Sequence, residues 1–188
     1  LILVSDYGLK YNILRILRSK GFRVMALPAN TTYEEISEMR PQGIILSPGP
    51  GDPALLNTQI DIAKHLLGEI PMMGICLGHQ IIARAFGAET FKLKFGHRGG
   101  NHPVKDEHSG RVYITSQNHG YAVDFKNLPT DLVVSHTNLN DGTIEGLEHK
   151  DLPIMSIQYH SEASPGPLDN IYLFDKFLSK VENYWNNK

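Results

Sequence analysis

Apolar residues in the first half of the chain alternate between short continuous runs and a helical rhythm. Leu1-Ile2-Leu3-Val4 is unbroken, as in a strand covered on both faces. Tyr11, Ile13, Leu14 and Leu17 then recur at helical spacing with Arg15, Arg18 and Lys20 between them, and Gly21 stops the helix. Residues 22–27 read as a second strand. Residues 32–39 read as a short helix opened by a capping box, Thr32 with Glu35 three positions on. Residues 43–46 make a third strand, 55–67 a helix, 71–75 a fourth strand, and 77–86 a helix ended by Gly87. This alternation predicts a mostly parallel central sheet flanked by helices, the α/β class.

The second half has a different rhythm. Residues 90–95, 111–115, 121–125, 132–136, 143–147 and 154–159 are strand-like and follow one another through Gly, Asn and Asp turns. Antiparallel pairing fits them better than strand–helix–strand units. On this reading Asn118 and Gly120 lie in a turn between two strands. Residues 168–185 close the chain as a long helix with Ile171, Phe174, Leu178 and Val181 on one face. No repeat or linker interrupts the pattern, so residues 1–188 are expected to form one domain.

Composition narrows the function classes. The 188 residues are 41% hydrophobic and 20% charged, ordinary for a globular domain. A formal net charge of -2 speaks against a nucleic-acid footprint and against a polybasic membrane patch. A single cysteine allows neither an intrachain disulfide nor a Cys-rich zinc finger. No apolar run approaches the ~18 residues of a spanning helix, and no signal peptide opens the chain, so a cytoplasmic protein is expected. The first residue is Leu1 inside an apolar run, which suggests a domain of a longer polypeptide.

The cysteine lies in Gly74-Ile75-Cys76-Leu77-Gly78, between a predicted strand and a predicted helix. A lone cysteine is ordinarily a small buried core residue. Flanking glycines at a strand–helix junction favour a nucleophile on a tight turn instead. The helix from Leu77 aims its positive end at the sulfur, which is expected to stabilise the thiolate. A thiol nucleophile needs a base and a group to orient it. His160 and Glu162 are two apart at the end of a predicted strand, so both can face one side. The carboxylate would then hold one ring nitrogen while the other faces the sulfur. His79 is the rival base, but it has no acid at useful spacing and suits a packing role.

The loop Ser47-Pro48-Gly49-Pro50-Gly51-Asp52-Pro53 follows the third strand and should sit beside Cys76 at the carboxyl edge of the sheet. One backbone N–H from it and one from Leu77 would form an oxyanion hole. No Gly-Lys-Ser/Thr follows, so it is not a phosphate loop. His97, His102 and His108 fit no standard ligand spacing, and no metal is expected.

Together these motifs resemble the class I glutamine amidotransferases, through Gly74-Ile75-Cys76-Leu77-Gly78-His79-Gln80, His160-x-Glu162 and the Gly-Pro-Gly loop. Residues 96–104, 116–123 and 162–167 further resemble the glutaminase domain of the carbamoyl phosphate synthetase small subunit. The resemblance implies a flavodoxin-like amidotransferase fold and hydrolysis of L-glutamine by a Cys76–His160–Glu162 triad. It implies an oxyanion hole from Gly49 and Leu77, and a glutamine pocket lined by Gly49, Gly51, Leu77, Gln80, Asn118, Gly120 and Tyr121. Gln80 would both donate to and accept from the amino-acid head group. It also implies no cofactor in this chain and a large synthetase subunit, serving pyrimidine or arginine synthesis, as partner. An N-terminal small-subunit domain would precede this region. One departure is visible: the family usually has Pro where Ser161 stands. Other readings are a glutaminase of another amidotransferase, a cysteine hydrolase on the same fold, or a regulatory module without turnover.

Overall fold

The computed structural model describes residues 1–163 and 166–188, so Ser164 and Pro165 of the last family-like segment lie outside the described residues. Four strands expected from the apolar runs are present: β1 (Ile2–Asp6), β2 (Val24–Pro28), β3 (Gly43–Leu46) and β4 (Met72–Ile75). Between them lie α1 (Tyr11–Ser19), α2 (Tyr33–Glu38) and α3 (Asn57–Leu66), the last preceded by a 3-10 turn at Pro53–Leu55. The Thr32–Glu35 capping box is formed in both directions. Helix α4 (Leu77–Ala85) leaves β4 directly after Cys76.

The second half forms β5 (Thr90–Asp106), β6 (Val112–Val123), β7 (Leu132–Asn138), β8 (Ile144–His149) and β9 (Ile154–Ile157), followed by α5 (Tyr172–Asn186). Among the described residues nine strands form one sheet in the order β2-β1-β3-β4-β9-β8-β7-β5-β6. The pairs from β2 to β9 are parallel and those from β9 to β6 antiparallel. The direction changes at β9, a strand of the second half that was expected among antiparallel pairs but runs parallel to β4 on one side and antiparallel to β8 on the other.

Two expectations fail here. Strand β5 continues well past residue 95, and β6 runs unbroken through residues 116–120. Asn118 and Gly120 are therefore strand residues, not a turn: Asn118 pairs with Arg98 and His119 with His97. Asn and Gly favour turns locally, but the long β5 partner supplies a ladder for them to join. Register shifts between Lys92 and His97, and between Gly99 and His102, keep β5 and β6 paired around the irregularity. Helix α5 also begins at Tyr172 rather than near 168, after a turn in which Ile171 N–H donates to the Leu168 carbonyl.

The core lies on both faces of the parallel half. Ile2, Val4, Ile45, Met73 and Ile157 pack with α1 and α5 through Ile13, Leu17, Phe174 and Phe177. Leu3, Ile44, Leu46, Met72 and Ile154 face the other way, onto Ile36, Ile60, Leu66, Ile81 and Ile82 of α2, α3 and α4. Burial on both faces explains why these strands read as unbroken apolar runs. Among the described residues no helix is long and apolar enough to cross a membrane. Because β1, β3, β4 and β9 run parallel, the loops after them meet at one edge, and the candidate chemistry gathers there.

Candidate active site

Cys76 sits on a strained turn, with φ 54° and ψ -103° between β4 and α4. Its N–H donates to the Ile157 carbonyl at 2.8 Å, which anchors the turn to β9. The flanking glycines are required by contact. A Cβ on Gly78 would lie 2.1 Å from the Leu46 carbonyl oxygen, and one on Gly74 would lie 2.5 Å from the Gly78 carbonyl oxygen. The two glycines let β3, β4 and α4 close on one another and push the cysteine up to the cavity.

His160 follows β9, and its N–H donates to the Ser116 carbonyl at 2.9 Å. Its Nδ1 lies 2.7 Å from Glu162 Oε1, which turns Nε2 away from the carboxylate. Glu162 is fully buried and held from α1: Lys10 Nζ is 3.2 Å from the same Oε1, and Asn12 Nδ2 donates to the Glu162 carbonyl. Burial pushes the Glu162 carboxyl up, but the His160 hydrogen bond and charge, with Lys10, outweigh it and leave it below its ordinary value. Ser161 N–H donates to the Tyr159 carbonyl at 3.1 Å, a bond that proline at this position could not make. Serine therefore adds a backbone bond that spans His160, and the His160–Glu162 contact is present beside it.

Cys76 and His160 line one cavity of about 780 Å³, together with Gly49, Asn118 and Gly120. A neighbouring cavity of about 350 Å³ shares Cys76, Gly49, Asn118 and Gly120 and adds Gly51, Gln80 and Tyr121. The structure so brings strand ends, elbow and β6 to one place. The Gly49 loop is tied down by Ser47, whose Oγ accepts from Tyr7 N–H at 2.9 Å and donates to the Pro48 carbonyl at 2.8 Å. A Cβ on Gly49 would meet the Tyr7 carbonyl oxygen at 2.5 Å and Leu77 Cδ2 at 2.7 Å, so loop and elbow are packed together. Gln80 is more restricted than expected. Its Nε2 donates to the Tyr121 carbonyl at 2.8 Å and to Gln158 Oε1 at 2.9 Å, so both N–H donors are directed into the protein and only its oxygen can serve a ligand.

The stabilisation of the thiolate expected from the helix end is outweighed. Burial, followed by the Glu162 charge, pushes the Cys76 thiol up to about 12, and the Leu77 backbone N–H at the head of α4 pulls it back only in part. The helix end is present, but desolvation of a sulfur only 4% exposed is the larger effect. His79 is a packing residue: it is fully buried, Nδ1 contacts Ser156 Oγ at 2.8 Å, and burial holds it down to about 3.

The histidines weighed as a set do not assemble as such. His97 and His102 stack with ring centroids 5.2 Å apart, while His108 faces Glu148 at 3.5 Å. His97 instead groups with His119 and Glu145, in a hydrogen-bonded network that also engages Gln117, Asn138 and Asp141. Sequence reasoning missed Lys10, Asn12, Arg98 and His119. Lys10, Arg98 and His119 line the main cavity. Arg98 faces Asn118 across the ladder, a signal visible only once β5 and β6 are paired, whereas His119 stands next to Asn118 in the sequence itself.

A profile of the glutamine amidotransferase class-I family matches residues 3–180. The chain belongs to that family. It is 58% identical over 180 residues to the carbamoyl phosphate synthase small chain of Akkermansia muciniphila, covering 96% of this chain and 48% of that one. It is 55% identical over 184 residues to the small chain of Staphylococcus haemolyticus, covering 97% and 50% respectively. This amidotransferase chain thus spans about half the length of the curated relatives it matches. Its fold is shared with a GMP synthase protein of Thermoplasma acidophilum, with TM-score 0.86 at 24% identity over 98% of this chain and 95% of that one.

Proposed function

We propose that this amidotransferase chain hydrolyses L-glutamine to glutamate and ammonia, and that a carbamoyl phosphate synthetase large subunit consumes the ammonia. One observation carries the reading: Cys76, at positive φ, and His160, oriented by Glu162, open onto one cavity. In the first step His160 Nε2 takes the Cys76 proton as the sulfur attacks the side-chain amide carbon of glutamine. The C–S bond forms, and the carbonyl electron pair moves onto oxygen, where the backbone N–H groups of Gly49 and Leu77 receive it. Collapse expels the amide nitrogen, which takes the proton from His160 and leaves as ammonia. Water, giving a proton to His160, then attacks the thioester; glutamate leaves and Cys76 regains its proton.

Gly49, Gly51, Leu77, Asn118, Gly120 and Tyr121 would enclose the substrate. The Gln80 oxygen would accept from its α-ammonium, and exposed Arg98 would face its α-carboxylate. Nucleophile, base and oxyanion donors all come from the chain, so the reaction calls on no cofactor in it. A cysteine that must stay reduced suits the cytoplasm. A thiol pushed up to about 12 fits a nucleophile made only when His160 acts on it.

The identity to carbamoyl phosphate synthase small chains supports the choice of partner. Glutaminase rate measured against large-subunit concentration tests the proposal. Slow hydrolysis alone and a rise on binding are expected. In the complex, Cys76→Ser should stop carbamoyl phosphate formation from glutamine and spare it from added ammonia. A full rate without partner would contradict the coupling, and no hydrolysis in either state would contradict the activity.

A further inference from the structure

Behind the cavity wall a second buried polar assembly crosses from β8 to β6. Glu145 is fully buried on β8. Its Oε1 accepts from Asn138 Nδ2 at 2.8 Å and its Oε2 from Gln117 Nε2 at 3.0 Å. The second Nε2 proton of Gln117 goes to Thr115 Oγ1 at 3.1 Å. Gln117 Oε1 then meets His119 Nε2 at 2.8 Å, and His119 Nδ1 meets the Tyr121 carbonyl at 2.7 Å. Both partners of the ring are oxygen acceptors, so the network is complete only if both ring nitrogens carry protons. Burial opposes that charge and holds His119 down to about 4. A neutral ring would leave one nitrogen lone pair pressed against an oxygen.

One rearrangement removes the conflict. If the Gln117 amide turns over, its Nε2 donates to a bare His119 Nε2 and its Oε1 faces Glu145. That contact is a hydrogen bond only if Glu145 carries a proton. The turn forfeits the Thr115 bond, because the Thr115 hydroxyl already donates to the His102 carbonyl at 2.9 Å. Either arrangement therefore holds one added proton: on His119 with the amide one way, on Glu145 with it the other.

We propose that Glu145 and His119 share one proton through Gln117, and that this proton fixes the cavity wall formed by Asn118, Gly120 and Tyr121. Glu145 is then a positioning residue that touches no substrate. Asn118 and Gly120 flank His119, and the Tyr121 carbonyl that His119 holds also receives Gln80 Nε2. Losing the proton would break the contact of His119 Nε2 with Gln117 that ties the wall to β8 through Glu145, while the Nδ1 bond to the Tyr121 carbonyl would remain.

The other ionisable groups around the pair are placed as follows. His97 on β5 lies between Glu145 Oε1, at 3.4 Å, and Asp141 Oδ2, at 2.8 Å, and packs edge-on against the His119 ring. Its hydrogen bond to Glu145 raises its pKa, so it supplies positive charge of its own to the two carboxylates. His160, His79, Cys76 and Tyr159 act on the pair from the catalytic side. None of these donates to Gln117.

The test is NMR of the free protein with isotope-labelled histidine and glutamate across neutral pH, in the parent and in Glu145→Gln. In the parent, one proton beyond the His119 Nδ1 proton should be found on His119 or Glu145. Glu145→Gln supplies a permanent N–H to the turned Gln117, so His119 should be locked neutral with Nδ1 protonated. This arm needs no glutamine, so it stands whether or not the proposed activity does. The consequence for the site rests on that activity. KM for glutamine should rise with pH in the parent as the proton leaves, and should be flat with pH in Glu145→Gln. Glu145→Leu, which removes every partner of Gln117 on β8, should raise KM about tenfold with a smaller change in kcat. A neutral His119 opposite an ionised Glu145 in the parent would overturn the proposal, and so would an unchanged KM in a folded Glu145→Leu protein. If Glu145→Leu does not fold, the NMR of the parent decides alone.

Discussion

Lys10 Nζ lies 3.2 Å from the same Glu162 oxygen that His160 Nδ1 approaches at 2.7 Å. A helix at the start of the chain thereby reaches the last member of the triad. The lysine side chain is 33% exposed, so solvent screens the pair and its worth is about 1 kcal/mol. Lys10→Met should lower kcat/KM for glutamine about fivefold. The pH sign follows from the depressed Glu162 pKa: its stabilisation is present above the ordinary carboxylate range and is lost as pH falls through the folded value. Without Lys10 that loss should begin at higher pH. Circular dichroism during acid titration would show it, and a superimposable acid transition would place Lys10 outside the triad's support.

The raised Cys76 pKa carries the opposite sign. The folded protein holds the thiol proton more tightly than the unfolded chain does. That advantage is present below the ordinary thiol value and is lost as pH rises toward about 12. Between about pH 9 and pH 11 the parent should lose thermal stability faster than Cys76→Ser does. Alkylation of Cys76 in the free chain should keep accelerating over the same range. A plateau in alkylation near neutral pH would reveal a standing thiolate.

Two glycines of the site should respond in opposite ways. Gly78→Ala would force a Cβ to 2.1 Å from a backbone carbonyl that cannot give way, so the fold should lose several kcal/mol, on the order of other overpacked cores. At Gly120 an added Cβ meets nothing within 4 Å, and the space it enters is the cavity. Gly120→Val should therefore fold normally and raise KM for glutamine more than it lowers kcat. Denaturant unfolding and steady-state kinetics on the two variants separate the cases; an unchanged KM in Gly120→Val would move β6 out of the glutamine pocket.

Within the triad, His160→Asn should lose nearly all hydrolysis, because His160 carries the proton in both halves of the proposed reaction. Glu162→Gln should lose less, since an amide oxygen can still accept from His160 Nδ1 and hold the ring. Rates of ammonia release from the two variants rank the roles, and a more severe loss in Glu162→Gln would reverse them.

What the sequence made legible was local. The Cys76 elbow announces itself because its glycines are dictated by neighbours no more than five residues away and by one adjoining strand. His160 and Glu162 are readable because two positions of extended chain place both on one side. The parallel strands are readable because both faces are covered. Lys10 and Asn12 were not legible, since their partner Glu162 is about 150 residues away and only the fold brings them together. Asn118 and Gly120 were assigned to the pocket through family resemblance but to a turn by propensity, and the ladder to β5 overrode propensity. The Glu145 network was invisible because His119, Gln117 and Glu145 have no shared spacing until β6 and β8 stand in one sheet.

The proposed reaction turns on covalent attachment of Cys76 to the glutamyl group of glutamine. Mass spectrometry of the protein quenched with acid during turnover, with peptide mapping of the adduct, reads that step directly. A glutamyl thioester on Cys76 is expected, formed at a rate matching ammonia release and absent from Cys76→Ser together with that release. Ammonia released at the parental rate by Cys76→Ser, or a glutamyl adduct mapped to any other residue, would contradict the reaction as proposed.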